Sequence, residues 1–314
     1  MPDRYSYLGP EGTFSEAALR SIPEATAAER IPCVSVADAL DAVRRGEVVA
    51  ALVPLENSVE GSVSETLDEL AAGEPLQIVR EVVLPVSFAL MVRPGTTLGS
   101  IATVTTIPHA EAQVRGWLRQ SLPNARFIAA SSTADGARAV AAGEADAAVA
   151  APLAADRYQL TALADDIADT AGAVTRFVLV SRPAPPPPVT GADKTTVVAY
   201  IGDDHPGALL ELLTELAVRG VNLTRIESRP TGVGIGRYCF SMDAEGHINQ
   251  ERVGEALAAM KRLCADVRFL GSYPAADGVR LRERAGTADG DFEAAKRWVA
   301  ALREGQNLTS LDYR

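Results

Sequence analysis

Short apolar runs and amphipathic stretches alternate along most of this chain, and the rhythm changes once. Up to about Val180, strand-like runs alternate with stretches whose apolar residues recur every three or four positions, the order expected of an α/β chain. Tyr5–Leu8, Ile31–Ser35, Val49–Val53, Val86–Val92, Arg126–Ala130 and Val174–Val180 predict strands, and Leu76–Leu84 an extended segment. Helices are predicted after Thr13, Ser35, Ser62 and Ser132, and from Pro108 through Val114, Trp117 and Leu118. Gly99–Thr106 is short and polar; Tyr158–Asp169 predicts loop and short helix. Beyond the stiff Pro183–Pro188 run the order becomes strand Thr195–Ile201, a helix from the Asp204–Leu210 turn to Arg219 with Gly220 as C-cap, strands Leu223–Arg229 and Arg237–Asp243, helix Glu251–Leu263 and strand Val267–Tyr273. That is a βαββαβ unit. A charged tail follows, with an amphipathic helix over Asp291–Leu302.

The segment Val49–Glu65 organises the first part. A buried strand ends in a loop carrying Glu56, Asn57 and Ser58, and Ser62-x-x-Glu65 has the capping-box spacing of a helix start. Ligands of open α/β sheets bind where strand C-termini meet helix N-termini; a capped βα loop with solvated polar residues gives the same pattern. Thr13-x-x-Glu16, after Gly9-Pro10-Glu11-Gly12, is a second capping box, and its glycines allow close approach to backbone N–H groups. No Lys-Ser/Thr follows it, which argues against a P-loop. The chain also repeats weakly. Ser35, Asp38, Val43, Gly46 and Glu47 fall on Ser132, Asp135, Val140, Gly143 and Glu144 without gaps, and each copy reads as N-cap, helix, Gly C-cap and buried strand. The first ends in polar residues and the second in Leu153-Ala154-Ala155, so the first is expected to hold the site and the second to serve mainly as scaffold. Two such repeats predict two lobes around a cleft that closes by hinge motion.

At 314 residues the chain has room for about two domains. A net charge of −11 with no basic run argues against nucleic acid and anionic membranes as partners. No segment reads as a signal peptide or membrane span. Cys33, Cys239 and Cys264 are scattered, as in a cytoplasmic protein, and His109, His205 and His247 lack metal-ligand spacing, so no metal is expected.

Gly9-Pro10-Glu11-Gly12-Thr13-Phe14-Ser15, Pro54-Leu55-Glu56-Asn57-Ser58, Glu60-Gly61 and Thr175-Arg176-Phe177, in this order, resemble the prephenate dehydratase family. Gly207-Ala208-Leu209-Leu210 and Glu227-Ser228-Arg229-Pro230 resemble an ACT regulatory domain. The resemblance covers roughly residues 4 to 273. It implies an α/β fold: a two-lobed, periplasmic-binding-protein-like catalytic domain at 1–182 (lobe one about 1–84 plus 170–182, lobe two about 85–169), a linker at 183–193, a ferredoxin-like ACT domain at 194–273 and a tail at 274–314. It also implies a carbon–oxygen lyase that converts prephenate to phenylpyruvate on the route to L-phenylalanine, without cofactor or metal. Chorismate mutase activity is not expected. L-Phenylalanine would be the feedback inhibitor, in a homodimer or homotetramer.

Prephenate carries a ring carboxylate and a ring hydroxyl at opposite ends of a cyclohexadiene, and losing both gives an aromatic ring. The reaction needs positioning and one proton donor. By the resemblance, Thr175 hydrogen-bonds the leaving oxygen. Arg176 either clamps a carboxylate or pairs with a residue such as Glu56. Glu56 is a second acid candidate or an orienting group. Thr13 with the Gly12 backbone, Asn57, Ser58 and Ser62 would bind the substrate, and Phe177 would pack or touch it. Gly207, Ala208, Leu209, Leu210, Asn222, Glu227, Ser228, Arg229 and Pro230 would line the phenylalanine pocket. The alternatives are a non-catalytic amino-acid sensor and an arogenate-preferring lyase.

Overall fold

The computed structural model describes residues 3–202, 205–232, 238–280, 282 and 284–306. By its contacts the chain divides into two units, residues 1–76 with 81–182 and residues 77–80 with 183–314.

The first unit begins with β1 (Arg4–Leu8), α1 (Phe14–Arg20), β2 (Glu29–Cys33), α2 (Val36–Arg44), β3 (Ala50–Asn57), β4 (Gly61–Ser62), α3 (Ser64–Ala71) and, from Glu81 on, β5 (Gln77–Pro85). With β11 (Val174–Ser181), the strands form one sheet in the order β2-β1-β3-β11-β5, and β4 pairs off the side of β3. β1 runs parallel to β2 and β3, and β11 antiparallel to β3. The apolar stripe of α2, Val36, Ala39, Leu40 and Val43, is wholly buried, and the Ser35 hydroxyl caps the helix by accepting from Asp38 N.

The strand predicted over Val49–Val53 continues to Asn57, because its polar end pairs with β11 on one side and with β4 on the other. The capping box expected at Ser62 is absent for the same reason. Ser62 is held opposite Glu56 in a short hairpin, and the α3 N-cap is Val63, with no side-chain cap.

The second lobe contains β6 (Ala89–Val92), β7 (Thr103–Thr106), α4 (Pro108–Ser121), β8 (Arg126–Ala129), α5 (Thr133–Ala142), β9 (Ala147–Ala150), α6 (Leu153–Tyr158) and β10 (Thr161–Ala164), with sheet order β10-β6-β9-β7-β8. β7 is parallel to β8 and β9, whereas β6 and β10 are antiparallel. Polarity hides β7 in the sequence. Its threonines are strand formers whose hydroxyls are satisfied inside: Thr106 Oγ1 donates to Val149 O (2.7 Å) and Thr103 Oγ1 to Asp146 Oδ2 (2.8 Å). Gly136 of α5 lets the helix settle on this strand, since a Cβ there would lie 3.1 Å from Thr105 O. Between the lobes, Val86 N donates to Ala173 O (2.8 Å), joining the outgoing and returning chain.

The second unit contains β12 (Asp193–Tyr200), α7 (Ala208–Ala217), β13 (Leu223–Pro230), β14 (Tyr238–Glu245), α8 (Glu251–Leu263), β15 (Asp266–Pro274) and α9 (Asp289–Arg303). Its antiparallel sheet has the order β13-β14-β12-β15. Val197, Ala199, Met242 and Ala244 meet Leu212, Leu216, Val253, Ala256 and Met260 in one core. α7 stops at Ala217 rather than Arg219. Asp204 and Arg237, placed by the sequence in a turn and at a strand start, lie outside the described residues. The tail helix α9 lies on α8, where Asp289 Oδ1 accepts from Glu251 N (2.8 Å) and Lys296 pairs with Glu251.

Candidate active site

The β3–β11 pair carries a bulge at the residues singled out in the sequence. Thr175 sits opposite Asn57 and Arg176 opposite Glu56, but Phe177 sits opposite Pro54, so Leu55 is the extra residue. Strict alternation would put Asn57 and Leu55 on one face. The bulge instead turns Asn57 and Pro54 to the same side as Thr175 and Phe177, where all four line a cavity of about 790 Å³, and Leu55 goes into the core.

Asn57 Oδ1 accepts from Val59 N (2.8 Å) and Glu60 N (3.1 Å). Those two donors fix which side of the amide is oxygen, so the NH2 group faces β11 and donates to Thr175 Oγ1 (2.9 Å). The Thr175 oxygen is thereby an acceptor in the protein, and its own proton is left to donate into the cavity.

Arg176, between Thr175 and Phe177 on the strand, faces the other way. Its Nε donates to Glu81 Oε2 (2.7 Å), and its Nη1 lies 3.8 Å from Glu56 Oε2. Arg176 and Glu56 therefore lie on the face of the strand pair away from the cavity and are not among its lining residues. Ser58 is also drawn off: its Oγ accepts from Val174 N (2.9 Å) and its N–H donates to Val174 O (2.9 Å), tying the two strand ends together. Ser62, in the hairpin, is likewise outside the cavity lining. Thr13 lines the cavity, but the adjacent Gly12 N–H is occupied by Glu16 Oε2 (2.6 Å) and is not offered to a ligand.

The second repeat does more than the scaffolding expected of it. Its strand-to-helix turn, Ser131, Ser132 and Thr133 at the start of α5, lines the cavity, as do Pro32, Cys33 and Val34, which precede Ser35 in the first repeat. The equivalence of Ser35 and Ser132 was legible in sequence and could have flagged this face. Burial pushes the Asp135 carboxyl up, but hydrogen bonds from Ser131, Arg138 and Ser132 outweigh it and hold the group below the usual aspartate range. Burial pushes the Cys33 thiol above its ordinary range.

His109 and Gln113 of α4 also reach the cavity. His109 Nδ1 lies 3.1 Å from Glu60 Oε2, and Gln113 Nε2 donates to Glu60 Oε1 (3.3 Å), a polar contact from one lobe to the other. Phe14 and Phe88 meet edge to face across the same cavity, with centroids 5.5 Å apart. Sequence reading missed Glu60's partners because they lie on different elements.

In the second unit, Gly207 adopts φ +99° as the N-cap of α7, which only glycine does easily. Ala208 is buried, Leu209 packs on the core and Leu210 is exposed. Glu227, Ser228, Arg229 and Pro230 follow one another on β13, an edge strand, with Glu227 and Arg229 half-buried and Ser228 and Pro230 exposed. Asn222 is exposed, and its carbonyl accepts from Glu245 N (2.8 Å). A cavity of about 70 Å³ beside α7, lined by Ala208, Glu211 and Leu212, has room for a few waters but not for an amino acid.

Fold and site together define a two-lobed α/β cleft protein with a ferredoxin-like unit of the regulatory type. The prephenate dehydratase family model matches residues 5–185 and the ACT domain model residues 196–262. The prephenate dehydratase of Mycolicibacterium vanbaalenii is 50% identical over 314 residues, covering 96% of this chain and 98% of that one. The crystal structure of an Arthrobacter aurescens prephenate dehydratase in complex with L-Phe superposes with a TM-score of 0.92 at 50% identity, covering 96% of this chain and 99% of that one. A structure described as GqqA, a novel type of quorum quenching acylase, superposes with a TM-score of 0.78 at 33% identity, over 87% of this chain and 98% of that one. The chain belongs to the prephenate dehydratase family and carries an ACT domain.

Proposed function

We propose that the chain converts prephenate to phenylpyruvate in the cleft of its first unit, with Thr175 donating a hydrogen bond to the departing ring hydroxyl. The observation that carries this reading is the Asn57–Thr175 hydrogen bond, in which the threonine oxygen accepts, so that its proton is available to a small-molecule substrate in the cavity it lines. The ring carboxylate leaves as carbon dioxide, its bonding electrons enter the ring, and the carbon–oxygen bond at the far end breaks. The departing hydroxide takes up one proton, supplied in the end by solvent, and becomes water. Aromatisation supplies the driving force. The protein holds the ring in place and stabilises charge growing on the leaving oxygen.

Thr175 is a weak acid, so it relays or stabilises rather than giving up a proton permanently. The pyruvyl carboxylate stays charged throughout and needs a fixed anchor. The α5 start offers helix N–H groups and the Thr133 hydroxyl for it, since Ser131 and Ser132 hydrogen-bond the Asp135 carboxylate and the Thr13 hydroxyl donates to Leu8 O (3.3 Å). Arg176 and Glu56 support the strand pair from outside the cavity.

L-Phenylalanine is the proposed effector at the second unit, where the Gly207–Leu210 turn and the Glu227–Pro230 edge of β13 would contact it. The Arthrobacter relative was crystallised with L-Phe. The small cavity beside α7 cannot hold that ligand, so a second copy of the chain would complete the pocket in a homodimer or homotetramer. Among the described residues β13 is the terminal strand of its sheet, a position that suits such an assembly. A cytoplasmic location goes with this pathway role, and among the described residues no helix is long and apolar enough to cross a membrane.

The test is direct. Purified chain with prephenate, and without nucleotide or added metal, should form phenylpyruvate and release carbon dioxide in equal amounts. No turnover there, with binding of phenylalanine intact, would favour the sensor alternative. Faster turnover of arogenate than of prephenate would reassign the substrate.

A further inference from the structure

We propose that Glu81 is a positioning residue for this reaction: through Arg176 it pins the β3–β11 bulge and so sets the aim of Thr175 and Asn57. The proposal rests on the dehydratase reading for its kinetic readout, and on geometry alone for its structural one. Sequence analysis gave Glu81 no role, since it sits in a stretch that reads only as extended chain.

The Glu81 side chain is 1% exposed and Arg176 10%, and their 2.7 Å contact is nearly enclosed. Burying such a pair costs several kcal/mol per ion and adds little net stability, so an apolar pair of the same volume would serve the fold as well or better. Its position suggests what it does instead. Arg176 occupies the last regular register pair before the bulge, opposite Glu56, with Leu55 looped out just beyond. Glu81 on β5 and Glu56 on β3 flank β11, so the guanidinium is tethered to both neighbouring strands at that point. Thr175 and Phe177, on either side of Arg176, face the cavity. With the tether cut, the strand pair is free to slide toward regular alternation, which would bring Leu55 to the cavity face in place of Pro54. The Asn57–Thr175 hydrogen bond would then lose its fixed geometry. The guanidinium never needs to touch substrate for this.

The test measures kcat and KM separately for the full chain and for Glu81→Gln, Arg176→Gln and the double variant Glu81→Met/Arg176→Met. Glu81→Gln should lower kcat by about 10- to 100-fold, the range seen when aligned transition-state donors are disturbed, with KM changed by less than about threefold. The double variant should fold, since apolar pairs replace buried ion pairs well, and its kcat should be as low as that of the worse single variant. Wild-type kcat in the double variant would overturn the proposal. So would a raised KM at unchanged kcat in Arg176→Gln, which would place Arg176 on a substrate carboxylate. If the wild type itself does not turn over prephenate, the dehydratase reading fails by itself. The clasp is then read from hydrogen exchange at the Asn57 and Thr175 amides, expected to quicken by about tenfold or more in Glu81→Gln and in the double variant. Unchanged exchange in the double variant would overturn it.

Discussion

At the scale of single residues, the site depends on which way one amide points. Asn57 can donate to Thr175 only because its oxygen is held by the N–H groups of Val59 and Glu60. Asn57→Asp keeps that oxygen and the loop but replaces the donor with an acceptor, which would draw the threonine proton away from the cavity. It should therefore lower kcat by about 100-fold, close to the effect of Asn57→Ala, while the circular dichroism spectrum stays the same. Near-normal kcat in Asn57→Asp would show that the donor is dispensable. The residue types were legible in sequence, but the sorting was not. Thr13, Asn57, Thr175 and Phe177 face the cavity, whereas Glu56, Ser58, Ser62 and Arg176, equally polar or charged apart from position, do not. Sequence alternation predicts faces only while the register is regular, and the bulge at Leu55 breaks it in the middle of the motif.

At the scale of elements, periodicity located most helices and strands, and hydroxyl-rich strands escaped it. β7, read as a polar connection, is an interior strand of its sheet because its threonines find partners in Asp146 and the backbone. Asp146 also accepts from Ala102 N (3.0 Å) and Thr103 N (2.8 Å). The hydrogen bond from Thr103 and those backbone donors hold its carboxyl below the usual aspartate range. A depressed folded pKa adds stability above the unfolded value of about 3.9, and that stability is lost as pH falls through the lower folded value. Asp146→Ala should cost about 1–2 kcal/mol at pH 7, allowing for solvent screening of a partly exposed group, and the gap to wild type should close in acid. Thermal melts of both proteins at pH 7 and near pH 3 check this; an unchanged gap would remove the charge from the explanation. The repeat teaches a related lesson. Matching Ser35 to Ser132 correctly gave two N-capped helices, but judging the second copy by its alanine-rich end overlooked the start of α5, which lines the cavity.

At the scale of the whole molecule, one chain joins a two-lobed cleft unit, expected from the two βαβ repeats, to a ferredoxin-like unit, expected from the βαββαβ order beyond the proline run. Glu60 reaches from the first lobe to His109 and Gln113 of the second, so Glu60→Ala should loosen the contact between the lobes and raise KM several-fold more than it lowers kcat. Equal loss in both would place Glu60 in the chemical step. Ser228→Leu, on the exposed edge of β13, should raise the phenylalanine concentration needed for half-inhibition by about tenfold, read from the same prephenate assay. An unshifted inhibition curve would remove β13 from the effector site. The central claim is that a threonine hydroxyl, oriented by an asparagine across a bulged strand pair, helps the ring hydroxyl depart. Steady-state turnover of prephenate by Thr175→Ala tests it most directly: the account predicts a kcat lowered by about 100-fold or more with KM changed by less than about threefold. A variant that turns over prephenate at the wild-type rate would contradict it.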